Sequence, residues 1–509
     1  MLLILGASNL IAFFKTGSTP VSMLNTAKES PLHAKINWIT VGSEGREMEA
    51  ETLEKISRDY QNALKVVELS KRKGNQPEFN DYLTNRARIT ATASILSTST
   101  TGVNTHLQPI EHYLDLKFYA ADGSMVVFED SRLSVVQVHA PEGSIIVQNY
   151  DSSRYHIMML LEDNFWRIRH MKRSANGEFQ NGTGLKNQND HFIRTRHNTF
   201  MLDSLEFFPK GINYYPSDHP WELFWSEFDP ELVVRDFITI GDLGLNTIRI
   251  FIPYLEFGGA EVSSIQIDKL KKVLDLADQQ EIKVIVTLFD FFLDYDLDQW
   301  NHADRHLETL LSEFRDHPAI FAWDIKNEPD LDFDSRGKTE VISWLDFILK
   351  RARNYDPNHL LSIGWSDKGS FKILWDQVDF SSFHFYQNPT LLAEWLETEQ
   401  ISTREKPVFL GEFGRHTYKS WWYPIGNNQK DQNRYLEDIL DIIEAYDLPY
   451  AIWTLYDFNQ VPDHIAGSYP WRKYPQERYG LIDKNQKHKK AYKTLKTFNK
   501  NSVINLRKQ

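Results

Sequence analysis

The 509-residue chain contains no cysteine. Disulfides, thiolate nucleophiles and thiolate metal ligands are therefore excluded, while the compartment stays open. A basic surface is lacking too. Lys and Arg number 57 against 70 Asp and Glu, a formal net charge of −13, which argues against nucleic acid as a partner and, more weakly, against a strongly acidic substrate. Nor is there a long apolar run. The most apolar stretch, MLLILGASNLIAFF at 1–14, is too short to span a bilayer comfortably and lacks the basic region that opens a secretory signal. It reads as a clipped or atypical export signal or membrane anchor, which would place the protein outside the cytoplasm, or else as a buried amino-terminal strand or helix. Aromatics, by contrast, are plentiful at 13% with 14 Trp. That is enough to look for stacking platforms for sugars, although most aromatics are core in any protein.

A chain of this length is expected to hold two or three domains. Residues 1–49 form the apolar segment and a leader to the first of them. Over 50–72, Leu53, Ile56, Tyr60, Leu64 and Val67 recur at helical spacing, giving one amphipathic helix. From about 87 to 173 the pattern becomes β: HYLDLKFY, SMVVFED, LSVVQVH, SIIVQNY, RYHIMMLLED and FWRIRHM, separated by Asp-Gly, Glu-Gly and Asp-Ser turn signals. A helix followed by an antiparallel meander ending in LEDNFWRIRHM resembles the cone-shaped NTF2-like domains. The resemblance implies an α+β domain over 50–173 serving as a pocket, a dimerisation surface or a docking module. Asp115, His156 and Asp163 are scattered there and read as surface or turn residues. Residues 174–190, SANGEFQNGTGLKNQND, have no periodicity and the composition of a linker.

From 191 to 509 short apolar runs alternate with amphipathic helices. GINYY, NTIRIFIPY, KVIVTLF, AIFAWDIKN, HLLSIGW, DFSSFHFY, PVFLGEFG and PYAIWTLYDF are eight strand candidates, continuous in apolar character as in strands buried on both sides. Eight such units in about 300 residues predict an α/β fold of the (β/α)8 barrel type. In a barrel, chemistry sits at the carboxyl ends of strands. The polar groups that interrupt these runs, Arg249, Asn327, Glu328, His384, Tyr386, Glu412 and Trp453, all fall there. Any one is unremarkable alone, since a lone Glu after a strand is usually solvated; their joint order is hard to reach by accident.

WDIKNEPD (323–330) and FLGEFG (409–414), with RIFIPY before and FHFY between, are similar to the clan of glycoside hydrolases that includes family 5 cellulases and mannanases. A leading hairpin and a closing YGLIDKNQKHKKAY (479–492) extend the likeness across 190–500. The resemblance implies a retaining hydrolase of β-mannan, β-glucan or a related saccharide, needing no cofactor and no metal. Glu328 would be the general acid/base and Glu412 the nucleophile. Asn327 would bond the sugar 2-hydroxyl, Arg249 would lie beside the nucleophile, His384 and Tyr386 would line the reacting subsite, and Trp453 would form its floor. One departure stands out: relatives commonly end the third strand in a His, and here the run is Thr287-Leu288-Phe289 followed by Asp290. Two further readings stay open, a carbohydrate-binding barrel with impaired catalysis and an amino-terminal assembly or targeting module for which the barrel is the effector. Trp221, Trp225, Trp300, Trp365, Trp421, Trp422 and Trp471 lie in or near the expected loops, each a sugar platform or a packing residue. His302 and His306, at i,i+4 spacing, would need a third ligand to hold a metal.

Overall fold

The computed structural model describes residues 34–40, 44–45, 48–73, 82–84, 87–88, 91, 104–140, 144–162, 164–174, 191–401, 404–421 and 423–506. The 1–14 segment, nearly all of the 174–190 linker, Asp163 and Trp422 lie outside the described residues. The chain forms two compact units. The smaller comprises Glu29–Thr183 with Tyr295–His302, and the larger contains Gly184–Asp294 and Ala303–Gln509.

In the smaller unit the helix spans Ala50–Lys73 (α1), where the apolar spacing places it. It buries Ile56, Tyr60 and Val67 against Leu114, Val126, Phe128, Ile157, Met159 and Ile168. Those partners come from a sheet of β1 (Lys35–Thr40), β2 (Glu44–Gly45), β3 (Asn104–Tyr119), β4 (Met125–His139), β5 (Ile145–Glu162) and β6 (Phe165–Arg173). The order is β1-β3-β4-β5-β6, with β2 also beside β3. The Asp-Gly turn forms as expected: Gly123 sits at φ 74 and its N–H donates to the Ala120 carbonyl at 2.9 Å. The two Asp-Ser turns do not form, because Asp130-Ser131 and Asp151-Ser152 run straight through β4 and β5. Asp130 has no need to turn outward. Its carboxylate meets His112 Nδ1 at 2.9 Å and accepts from the Tyr60 hydroxyl at 2.6 Å and from Arg132 Nε at 2.5 Å. A buried polar group satisfied on all sides can sit mid-strand, so tertiary partners override the local turn signal. His156, by contrast, is exposed.

In the larger unit eight parallel strands close into a barrel. Before them, β7 (Arg194–Arg196), β8 (Thr199–Leu202) and β9 (Leu205–Phe207) make a small antiparallel sheet. Ile193 and Phe200 pack on Phe321, Leu360, Phe380 and Phe409 near the strand beginnings, which stoppers the amino end of the barrel. The barrel strands are β10 (Lys210–Asn213), β11 (Thr247–Pro253), β12 (Lys283–Asp290), β13 (Ile320–Asn327), β14 (Leu360–Trp365), β15 (Ser381–Phe385), β16 (Val408–Phe413) and β17 (Tyr450–Ile452). Every residue of β11, β14, β15 and β16 is buried, the consequence of helices covering the outer face. The last strand is shorter than its apolar run suggested. Beyond Trp453 the backbone pairs with residues 481–482 instead of the barrel: Ile482 N–H donates to the Leu455 carbonyl and Asp457 N–H to that of Ile482. No helix among the described residues is long and apolar enough to cross a membrane.

Candidate active site

The polar side chains of the barrel interior converge on one guanidinium. Arg249, from β11, is 1% exposed. A buried cation is costly unless its donors are met, and here they are. Nε and Nη2 donate to Asp324 Oδ2 at 3.0 and 2.6 Å, Nη1 to Asn213 Oδ1 at 3.1 Å and to Glu412 Oε1 at 2.6 Å, and Nη2 to Asn327 Oδ1 at 2.9 Å. Strands β10, β11, β13 and β16 thus share one cation. Asp324 is held in turn by the hydroxyls of Thr287 at 3.0 Å and Ser362 at 3.2 Å, from β12 and β14. Neither Asp324 nor Asn213 stands out in the sequence; each is one polar letter inside an apolar run.

Glu412 lies buried at the end of β16. Its second oxygen, Oε2, accepts from the Tyr386 hydroxyl at 2.8 Å. Burial pushes the Tyr386 phenol well above its ordinary range, so it remains a donor. Between them, Arg249 and Tyr386 donate to both oxygens of this carboxyl group and fix its aim. Glu328 follows β13 in a left-handed conformation, φ 49, which is sparsely populated for a residue with a side chain and tends to occur at functional sites. Its N–H donates to the Gly364 carbonyl at 2.6 Å, and Oε1 lies 2.7 Å from His384 Nδ1. Burial raises the Glu328 carboxyl to about 7, although Arg249 and Lys326 pull it down. The His384 imidazole is lowered to about 4, also by burial, and is therefore neutral near pH 7. Two carboxyl groups of contrasting environment result, one proton-holding and one clamped by a cation.

An oxygen of Glu328, a nitrogen of His384 and an oxygen of Glu412 lie within 4.8 Å of one another. By spacing alone this trio could hold a metal ion, and it is the one such group among the described residues. Its close packing depends on glycine. A Cβ on Gly364 would meet Arg249 Nη2 at 2.7 Å and Asp324 Oδ2 at 3.1 Å; one on Gly411 would meet Ser382 Oγ at 2.3 Å. Trp453 is 9% exposed, with its ring 6.4 Å from Trp221 and 6.1 Å from Phe251.

Of the seven residues singled out in the sequence, six lie at or just beyond the carboxyl ends of barrel strands and Arg249 lies within β11. Arg249, Asn327, Glu412 and Tyr386 share one hydrogen-bond network, and Glu328 and His384 bond as a pair beside it, with His384 Nδ1 3.6 Å from Glu412 Oε2. The tryptophans divide. Trp225 and Trp300 are fully buried and donate to the carbonyls of Phe251 and Tyr295, Trp365 is 1% exposed, and Trp421 is 92% exposed. His306 is buried with Nδ1 2.8 Å from the Gly259 carbonyl, which makes it a packing residue. The third-strand question is settled by direction. The Phe289 ring lies among Tyr254, Phe292, His306 and Trp344, and it is Asp290 that acts on Glu412 and Glu328 electrostatically.

Residues 223–459 match the family model for cellulase (glycosyl hydrolase family 5). The chain is 24% identical over 295 residues to a β-glucuronidase of Chlorocebus aethiops, across 53% of this chain and 42% of that enzyme. It is 23% identical over 315 residues to a probable mannan endo-1,4-β-mannosidase C of Aspergillus terreus, across 46% of this chain and 75% of that one. The chain thus spans less than half the length of the first of these relatives. Among solved structures, an exo-β-1,4-mannosidase from Opitutaceae bacterium strain TAV5 superposes with a TM-score of 0.50 at 18% identity, covering 63% of this chain and 62% of that one; this likeness concerns the fold alone.

Proposed function

With the barrel a glycoside hydrolase family 5-like catalytic domain, we propose that it hydrolyses β-linked hexose saccharides, β-mannan foremost, by double displacement with retention. The observation that carries this reading is the pair Glu328 and Glu412, an oxygen of each within 4.8 Å of the other. Retaining enzymes keep their carboxyl groups about 5–5.5 Å apart, whereas inverting ones separate them by roughly 6.5–9.5 Å to seat a water. In this reading Glu412 attacks the anomeric carbon while Glu328 gives its proton to the departing oxygen. Glu328 then takes a proton from the water that releases the sugar. Asn327 spends its carbonyl on Arg249, which leaves its amide N–H groups for a sugar hydroxyl as positive charge develops on the ring. Trp453 offers an indole face to the C–H side of the pyranose. Mannan is favoured because several of the relatives carry mannan endo-1,4-β-mannosidase names.

The test is turnover of an aryl β-mannoside and of mannan, glucan and xylan oligosaccharides, with NMR of the first-formed anomer. Hydrolysis with retained configuration that disappears in Glu412→Gln supports the proposal. Saccharide binding without turnover in the wild type would overturn it in favour of a carbohydrate-binding barrel, and an inverted first product would overturn the mechanism.

A further inference from the structure

Two buried polar groups beside the catalytic pair take no part in the network around Arg249. Asp290, the last residue of β12, is 5% exposed, and its carboxyl receives no hydrogen bond from any described residue. Tyr215, just beyond β10, is 1% exposed, and its hydroxyl is buried without a partner. Nearly all buried polar atoms in folded proteins are paired, so the Tyr215 hydroxyl calls for an explanation. Burial raises Asp290 to about 7, with Lys326 and Arg249 drawing it down and Glu412 and Glu328 pushing it up. Of the charged groups acting on the Tyr215 hydroxyl, Asp290 is the strongest. Strand register sets Asp290 opposite Pro253 of β11, two residues beyond the Phe251 ring on which Tyr215 stacks, so the two groups share one part of the barrel end.

The backbone around them is independently unusual. Phe289 and Phe291, on either side of Asp290, are left-handed at φ 48 and φ 59, and Trp221 is left-handed at φ 53. Bulky residues avoid this region at a cost of about 1–3 kcal/mol each, and such outliers persist where surrounding structure over-determines them, often at ligand clamps. The consequence of the twist is specific. Phe289 is turned into the aromatic layer with Tyr254 and Trp344, which leaves the next side chain, Asp290, for the barrel mouth. The Tyr215 ring is fixed by stacking on Phe251 at 5.2 Å and by Trp221 at 5.6 Å, and Phe251 lies beneath the Arg249 guanidinium.

Resting on the hydrolase reading above, we propose that Asp290 and Tyr215 form a hydroxyl-recognition subsite for the sugar next to the scissile bond. A carboxyl group accepts from one or two hydroxyls, and a phenol both donates and accepts. A pyranose edge carrying adjacent hydroxyls supplies the missing partners for both. A sugar lacking one of them leaves a buried carboxyl unpaired, which is how a polar pocket rejects an analogue.

The test uses the full chain with Asp290→Asn, Tyr215→Phe and the double variant, each checked for a cooperative thermal transition and wild-type circular dichroism. Mannotriose is titrated calorimetrically into each in the Glu412→Gln background, and kcat/KM is measured for an aryl β-mannoside and its monodeoxy analogues in the Glu412 form. Asp290→Asn should weaken mannotriose binding and lower kcat/KM about ten- to a hundredfold, the range of a hydrogen bond to a charged group, and Tyr215→Phe should do less. On one deoxy analogue the wild type should lose a similar factor and Asp290→Asn should add nothing further. A purely structural role would add the same loss on every analogue. Binding and kcat/KM within twofold of wild type in both variants, or equal loss on all analogues, would overturn the subsite. If mannotriose binds but nothing is hydrolysed, the hydrolase reading fails while the binding arm still decides the subsite; if neither mannotriose, cellotriose nor xylotriose binds, both fall.

Discussion

Each unit buries an arginine against a carboxylate, and the two networks end differently. In the smaller unit Arg132, Asp130, His112 and Tyr60 close on one another. Arg132 donates to Asp130 and to the Tyr60 hydroxyl at 2.6 Å, and it stacks 3.9 Å over the Tyr155 ring. In the barrel, buried polar atoms beside the network around Arg249 stay open: His384 Nε2 and the Tyr215 hydroxyl have no partner among the described residues. A closed network serves the fold. An open one carries a desolvation cost that a ligand can relieve, which is why unpaired buried groups point to function more sharply than buried charge does.

Substitutions at matched positions should separate the two. Glu412→Gln removes the proposed nucleophile and should lower kcat on the order of 10⁴-fold or more, with saccharide binding retained. Gly364→Ala should come next. Its Cβ would force Arg249 or Asp324 aside, and a displacement of about 1 Å at a reacting centre costs roughly 10²-fold; steady-state kinetics on the folded variant would read it. Asp130→Asn should invert the pattern, destabilising the smaller unit by about 3–5 kcal/mol because Arg132 loses its counter-charge, with kcat unchanged. A Glu412→Gln protein with full activity, or an Asp130→Asn protein with wild-type unfolding, would erase the contrast.

Smaller effects follow pH. In the proposed reaction Glu328 must hold its proton to release the leaving group, and burial raises its carboxyl to about 7. kcat/KM should therefore fall toward tenfold per unit above about pH 7, and this alkaline limb should vanish in Glu328→Gln. Stability should respond with the same sign. Glu328, Asp290 and Glu256 are all raised to about 7, so the folded chain keeps protons that the unfolded chain releases near pH 4–5. Their contribution is fully present below about pH 4 and is lost as pH climbs through 7. The melting temperature should thus drop between pH 5 and pH 8, and less steeply in Asp290→Asn.

Much of the barrel was legible because its strands announce themselves locally, as unbroken apolar runs with a polar residue at the end. NTIRIFIPY and PVFLGEFG needed no knowledge of their neighbours. The site was legible to the same depth: residues at strand ends could be named, whereas Asp324 and Asn213, inside the runs, could not. Their roles come from partners on other strands, such as Arg249 for Asp324, and no local pattern encodes that. Non-local pairing also explains the errors. Asp130-Ser131 carries turn chemistry that His112 and Tyr60, distant in sequence, overrule. TLYDF continues an apolar run but pairs with residues 481–482 rather than the barrel.

The Arg249 clamp also has a consequence in time. Its acceptors are spread from Asn213 to Glu412, so a chain leaving the ribosome exposes the guanidinium long before its last anionic partner exists. Until β16 docks, one donor of the cation lacks its carboxylate and the site lacks the proposed nucleophile. Partially built barrels are therefore less stable, and the proposed activity should arise only late in synthesis, once the strand carrying Glu412 has docked.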